Sequence, residues 1–312
     1  MVALPTFVLI TAARNEAEFI ELTIQSVAAQ TVRPVKWVIV SDGSTDGTED
    51  IVRRYAADHP WIELVRMPER RERNFAGKVH AFSAGYASVK DLKYDVIGNL
   101  DGDTSFDRDY LSFLLQKLAD HPTLGVVGTS YTEGAKQTYD YRFASIENVP
   151  GNCQLFRRQC FEEIGGYVPV RCGAVDTIAV ITARMKGWET RTFTDKVCQH
   201  HRKSGSAGKG LLALKFRGGA KDYLVGNHPI WELFRVFYQM TKRPFLIAGL
   251  TLGAGYLWAL VRGMERPVSP ELVAFQRCDQ VRRLKGFARE NVSRVARAAH
   301  WRPGGLDART KS

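Results

Sequence analysis

Short apolar runs alternate with amphipathic stretches over the first hundred residues. Phe7-Val8-Leu9-Ile10, Lys36-Trp37-Val38-Ile39-Val40, Ile62 to Arg66 and Asp95 to Leu100 are β-type runs. Between them, helical spacing runs from about Glu16 to Ala29, from Asp46 to Ala57 with acidic residues in its first turn, and from Asn74 to Val89. Helices set between short strands imply parallel βαβ units with right-handed crossovers. In such sheets ligands bind outside the carboxyl ends of the strands. Two acidic turns, after Val40 and after Leu100, fall at such ends.

The pattern is mixed beyond Gly125. It predicts a strand to Ser130, an irregular stretch through Gly151, a helix near Gln159 to Ile164, a helical segment from Asp176 to Met185 and a strand from Thr190 to Gln199. Arg202 to Gly210 is rich in Gly, Ser and Lys and reads as a mobile loop. Two amphipathic helical stretches follow, interrupted around Gly226-Asn227-His228-Pro229. Pro244 to Val261 is then an uncharged run of 18 residues, roughly 27 Å long as a helix and barely a bilayer core. Basic residues stand on both flanks (Lys242, Arg243, Arg262, Arg266), so no direction of crossing is favoured. A hairpin or interfacial segment fits better, with Tyr256 and Trp258 at headgroup depth; a buried core helix is the alternative. Gly249 and Gly253 have the spacing that permits close helix packing. The expected division is residues 1–205 as a catalytic domain and 206–312 as a helical extension.

Charge and cysteine content refine this outline. The net charge of +11 is concentrated in the tail, where 12 Lys/Arg stand against 5 Asp/Glu from Arg262 onward. Charge alone suits nucleic acid or an anionic membrane surface; the neighbouring apolar run favours the membrane and no nucleic-acid partner. The five cysteines have no regular spacing and read as free thiols in a reducing compartment. The stretch Met1 to Leu9 lacks the features of a secretory signal.

Asp101-Gly102-Asp103 follows an apolar strand. Two carboxylates one residue apart can chelate Mg²⁺ or Mn²⁺ together with phosphate oxygens, and the glycine permits a tight turn that a ligand can approach. An ordinary Asp-Gly turn has the same appearance. In Ser41-Asp42-Gly43-Ser44-Thr45-Asp46, Asp42 can accept hydrogen bonds from a base or ribose, or only make a turn, while Asp46 caps the next helix. Glu16, in Thr11-Ala12-Ala13-Arg14-Asn15-Glu16, can be a helix-start carboxylate and nothing more. Lys78 can meet a diphosphate or be solvated.

Taken in order, Asn15-Glu16, Asp42 to Asp46, Gly77-Lys78 and Asp101 to Asp103 resemble the motifs of glycosyltransferase family 2, of the α/β GT-A fold, over roughly residues 5 to 200. The resemblance implies that Thr11, Ala13, Glu16 and Asp42 contact the nucleoside. Lys78, Asp101 and Gly102 complete the donor site, and Asp103 holds the metal. It implies that Asp176 is the catalytic base, although Val175 stands where the family has Glu. Asn152 falls on the acceptor side. In His200-His201-Arg202, a histidine, here His201, would complete the metal shell. A nearby basic residue would steady the departing diphosphate, and Arg202 is placed with the acceptor side. The Gln-x-x-Arg-Trp motif of processive members is absent, which implies addition of a single sugar.

The implied reaction is an inverting, metal-dependent transfer from a nucleotide sugar, a UDP-sugar in the first instance. The apolar segment and basic tail add a lipid-borne, polyprenyl-linked acceptor at the cytoplasmic face of the membrane, in polysaccharide assembly. A nucleotidyltransferase would carry a Gly-rich basic loop after the first strand, and a dinucleotide oxidoreductase would carry Gly-x-Gly-x-x-Gly there. Neither is present. A non-catalytic, membrane-attached scaffold is the other alternative, and Val175 favours it slightly.

Overall fold

A computed structural model describes residues 3–69, 75–134, 136–137, 145–171, 173–202 and 210–300. The N-terminal half follows the expected alternation: β1 (Phe7–Ala13), α1 (Ile20–Ala28), β2 (Lys36–Asp42), α2 (Thr48–Asp58), β3 (Ile62–Met67), α3 (Phe75–Val89) and β4 (Val96–Leu100). β1 pairs in parallel with both β2 and β4, and β2 with β3. Both faces of the sheet are covered, so β1 and β4 are buried along almost their whole length and mainly apolar rather than alternating. One core, with Leu9, Trp37, Ile39 and Leu100, lies under α1, α2 and the later α4; the other, with Val8, Ile10, Val38 and Ile97, lies under α3.

The second half adds β5 (Thr104–Ser105), α4 (Tyr110–Asp120), β6 (Leu124–Glu133), β7 (Lys136–Gln137), β8 (Cys153–Arg157), α5 (Arg158–Glu163), α6 (Val175–Met185) and β9 (Glu189–His200). β8 runs antiparallel between β4 and β6, giving the order β3-β2-β1-β4-β8-β6-β9-β5 among the described residues, with β7 hanging from β6. No element was expected over α4, yet Tyr110, Leu111, Leu114, Leu115 and Leu118 form a buried helical stripe. The proposed mobile loop lies mostly outside the described residues, as do Asn74, Cys172 and the end of the basic tail. Cys153, Cys160, Cys198 and Cys278 are free thiols.

Four helices follow: α7 (Leu211–Leu224), α8 (Pro229–Met240), α9 (Ile247–Val261) and α10 (Pro270–His300). None of the described helices is long and apolar enough to cross a membrane. The apolar run is instead split into two sides. Ala248, Leu252, Tyr256 and Ala259 face inward, while Leu250, Leu257, Trp258, Leu260 and Val261 are exposed. Tyr256, expected at headgroup depth, is 4% exposed, and its hydroxyl donates to the Asn227 carbonyl at 2.8 Å.

Glycines set the spacing of α9. A Cβ on Gly255 would come within 1.9 Å of the Phe216 carbonyl oxygen, one on Gly219 within 1.8 Å of that of Leu252, and one on Gly249 within 2.4 Å of that of Val236. Backbone therefore meets backbone between α9 and both α7 and α8. α10 returns to α6 through Leu272, which packs with Val170, Ile178 and Ile181. Asp279 ties it to Arg184 at 2.8 Å.

Candidate active site

The turn after β1 and the turn after β2 are laced together. Asn15, held at φ 55, accepts from the Thr45 N–H at 2.9 Å, and the Glu16 N–H donates to Thr48 Oγ1 at 2.8 Å. Asp46 accepts from the N–H groups of Ala17 and Thr48, both at 3.0 Å. This is a helix-start role for Asp46 of the kind expected. The lacing fixes Glu16 and Asp42 side by side at the carboxyl edge of the sheet. Asp42 is buried, with the Arg14 guanidinium 3.9 Å away.

The Asp101 turn sits against this edge. The Asp101 N–H donates to the Asn152 carbonyl at 2.9 Å, and the Asp101 carboxylate is bonded to the Lys78 ammonium from α3. A Cβ on Gly102 would sit tightly against the Ile20 Cδ1 at 3.1 Å and in ordinary contact with Glu16 at 3.5 Å. Thr11 and Ala13 are fully buried, and the Thr11 hydroxyl accepts from the Trp37 indole N–H at 3.0 Å. Their side chains are packed inside the protein beneath the turn.

Strand pairing decides which histidine joins the acidic turn. β5 pairs antiparallel with β9, placing Thr104 opposite His200 and Ser105 opposite Gln199. His200 Nε2 lies 3.3 Å from Asp103 Oδ2 while its Nδ1 lies 3.3 Å from Glu133. The ligating atoms of Asp101, Asp103 and His200 all fall within 4.8 Å of one another. Two carboxylates and an imidazole suit Mn²⁺, and Glu133 occupies the outer position that orients a metal-ligating histidine. His201 is displaced from this role. Its Nε2 is 2.8 Å from the Ser105 hydroxyl, its ring stacks on Phe19, and burial with the His200 charge lowers its pKa.

Arg202 donates to Glu16 at 2.6 Å and lies 3.7 Å from Asp103, on the Glu16 flank of the turn. Burial pushes the Glu16 carboxyl up to about 7, against the pull of Arg202 and with a further push from Asp103. Burial and the Asp101 charge also raise the Asp103 carboxyl, while His200 and Arg202 oppose the rise. Crowded acids held by cations form a site built to receive positive charge.

A cavity of about 410 Å³ opens beside the turn, bordered by Lys78, Asn99, Asp101, Asn152, Asp176 and His200 among others. Asp176 enters it from the first turn of α6, which the chain reaches through left-handed Gly173 (φ 92) and Ala174 (φ 69). Gly151 lies so close that a Cβ there would stand 2.7 Å from Asp176 Oδ2. Asn152 donates to Cys198 Sγ at 2.9 Å. Asn99, which was not singled out from the sequence, donates to the Gly151 carbonyl at 2.7 Å. Its Oδ1 is buried without a partner. No motif marks Asn99, but its place in β4 just before the acidic turn could have done so.

The family model for glycosyl transferase family 2 matches residues 8–176, more than half of the chain. The chain belongs to that family. Poly-β-1,6-N-acetyl-D-glucosamine synthase of Staphylococcus aureus is 27% identical to it over 179 residues, which cover 51% of this chain and 41% of the relative. The enzyme of the same name from Staphylococcus epidermidis is 25% identical over 170 residues, covering 48% and 39%. The chain thus matches well under half the length of these curated relatives. Among solved structures, the mannosyltransferase PcManGT of Pyrobaculum calidifontis, in complex with GDP-Man and Mn²⁺, aligns with a TM-score of 0.57 at 24% identity. That alignment covers 88% of this chain and 74% of the other. TarS of S. aureus in complex with UDP-GlcNAc aligns with a TM-score of 0.53 at 14% identity, covering 87% and 78%. The fold is GT-A, and in this family 2 glycosyltransferase the motif turns gather at one edge of the sheet.

Proposed function

We propose that this protein is a metal-dependent, inverting glycosyltransferase that moves one sugar from a nucleoside-diphosphate donor to a lipid-linked glycan acceptor at the cytoplasmic membrane surface. The observation that carries the reading is the single cavity bordered by Asp101, His200, Lys78 and Asp176. It pairs a cation- and phosphate-binding edge with one further carboxylate set across the hollow. The GDP-Man and UDP-GlcNAc named with the two solved relatives support a nucleotide-sugar donor. The polysaccharide synthases support glycan assembly.

Asp176 takes the proton of the acceptor hydroxyl as that oxygen attacks the anomeric carbon, and the nucleoside diphosphate leaves from the opposite face. Holding both substrates in line supplies much of the acceleration. Lys78 and Arg202 stand where they meet diphosphate oxygens, each leaving a carboxylate partner to do so. Asp101, Asp103 and His200 would hold a divalent cation, Mn²⁺ by the donor set and Mg²⁺ as the alternative, which when bound would supply charge neutralisation for the departing diphosphate. Asp176→Asn is expected to abolish transfer and leave donor affinity, measured by calorimetric titration, unchanged. An equal loss of donor affinity would remove Asp176 from the base role.

Membrane attachment is supported by apolar side chains exposed together on α8 and α9 (Ile230, Leu233, Phe237, Leu250, Leu257, Trp258), next to Lys242, Arg243 and Arg262. An apolar face with a basic fringe suits interfacial docking on anionic lipid. Flotation with phosphatidylglycerol vesicles tests it. Leu250→Glu with Leu257→Glu should release the protein, and retention of wild-type binding by that variant would refute the docking face.

A further inference from the structure

A second chamber of about 500 Å³ lies between the catalytic sheet and the C-terminal helices. Tyr131, Asn148 and Ala174 border both this chamber and the cavity holding Asp176, so the two hollows adjoin. One wall is α8, whose Trp231, Phe234, Arg235 and Tyr238 line the chamber. Their spacing of three, four and seven residues puts them on one helical face. Ile230, Leu233 and Phe237 occupy the other face and are exposed.

The walls indicate what fits. The Trp231 and Phe234 rings lie 6.1 Å apart, offering flat apolar faces. Asn148, Asn227, Gln239, Gln276 and Gln280 add amides to the lining; Gln276 and Gln280 both donate to Asn227, and Gln239 accepts from Lys215. Arg184 and Arg283 share Asp279 in the lining and Glu147 outside it, and Arg235 pairs with Asp222, so three carboxylates stand against four cations. A largely charge-balanced lining does not select a polyanion such as nucleic acid or polyphosphate. Aromatic faces beside amides and paired charges instead match a ligand with apolar C–H faces and many hydroxyl groups.

We propose that this chamber receives the acceptor as an uncharged saccharide of two or more sugar units, with Trp231 as its stacking platform. The reading rests on Asp176 marking the reaction centre. The terminal unit reaches the cavity of Asp176, and the units behind it lie against α8. Trp231 is thus a specificity-determining residue for acceptor length.

Saturation-transfer NMR on the full chain with UDP and Mn²⁺ tests this, using β-linked N-acetylglucosamine, glucose and mannose oligosaccharides of one to four units. Affinity in at least one series should rise about tenfold from one unit to three. Trp231→Ala should flatten that rise, Trp231→Phe should restore most of it, and UDP affinity should be unchanged in both. No dependence on length in the wild type, or a dependence that survives Trp231→Ala, overturns the proposal. So does binding of alkyl glycosides that tracks alkyl length instead of sugar number. Failure of UDP and Mn²⁺ to bind the wild type would instead overturn the donor reading above.

Discussion

Gly151→Ala isolates the position of the Asp176 carboxylate. The added methyl would stand 2.7 Å from Asp176 Oδ2 and 2.8 Å from both its Cγ and its Cβ, where ordinary contact begins at 3.4 Å. The clash with Cβ means that rotating the side chain is not enough, so the first turn of α6 or the 150–152 turn must move. The retreat required is about 0.6–0.7 Å, and displacements near 1 Å can cost a catalytic group ~100-fold. We expect kcat to fall about 10- to 100-fold. KM for the donor should stay within about twofold where α6 gives way, because Lys78 stands on α3; Asp101 is tied to Asn152, so yielding of the 150–152 turn would raise KM as well. The assay is steady-state nucleotide release at saturating Mn²⁺, with donor affinity measured separately by calorimetry. Wild-type kcat in a folded Gly151→Ala protein would refute the claim that this contact sets the carboxylate. A parallel loss of donor affinity would show that the glycine serves the donor site instead.

Other changes have equally definite outcomes. His200→Ala should weaken Mn²⁺ binding, read by calorimetry in the presence of nucleotide, by tenfold or more. His201→Ala should leave it within about threefold, and the reverse ranking would restore His201 as the ligand. Glu232 is 3% exposed, both its carboxylate oxygens lack a hydrogen bond, and burial with the Asp222 charge raises its pKa from 4.5 to about 7. A carboxyl raised in the folded state favours folding while protonated, so stability from this group declines as pH rises from about 4.5 to 7. Glu232→Gln should therefore raise Tm relative to wild type at pH 8 and not at pH 4.5, for a gain of at most about 3 kcal/mol; equal gains at both pH values would contradict it. Gly255→Ala should cost about 2–3 kcal/mol or more in urea unfolding, because its methyl has no space against α7. Gly286→Ala, in open space on α10, should gain up to about 1 kcal/mol.

The parts of the fold legible in the sequence are those fixed by local pattern. β1 to β4 and their helices carry continuous apolar runs and helical spacing, and the four motif turns fall at strand ends because the chain reverses there. The stripe of α4 is equally regular and is legible in the same way. Other features depend on distant pairing and leave no local trace. β8 enters the sheet between β4 and β6, and β5 has only two residues, too few for a periodic signal. The choice between His200 and His201 follows from that short pairing, although alternation from the buried Cys198 puts His200 on the inner face. Thr11 and Ala13 illustrate a different limit: burial beneath the site also constrains residue type at a motif position. α10 was read as charge alone. Asp279 gathers Arg184, Arg282 and Arg283 around itself, so part of the basic tail serves to fasten the helix.

Backbone contact between α7 and α9 also bears on how this end of the molecule opens. Where Gly219 and Gly255 each face a carbonyl of the opposite helix, neither helix can shift by a fraction of a turn without the other. The pair should exchange its amide hydrogens as one cooperative unit, with a shared opening free energy. α8, whose outward face is exposed, should exchange sooner. The slowest amides of the C-terminal region would then lie along a seam with almost no side chains in it.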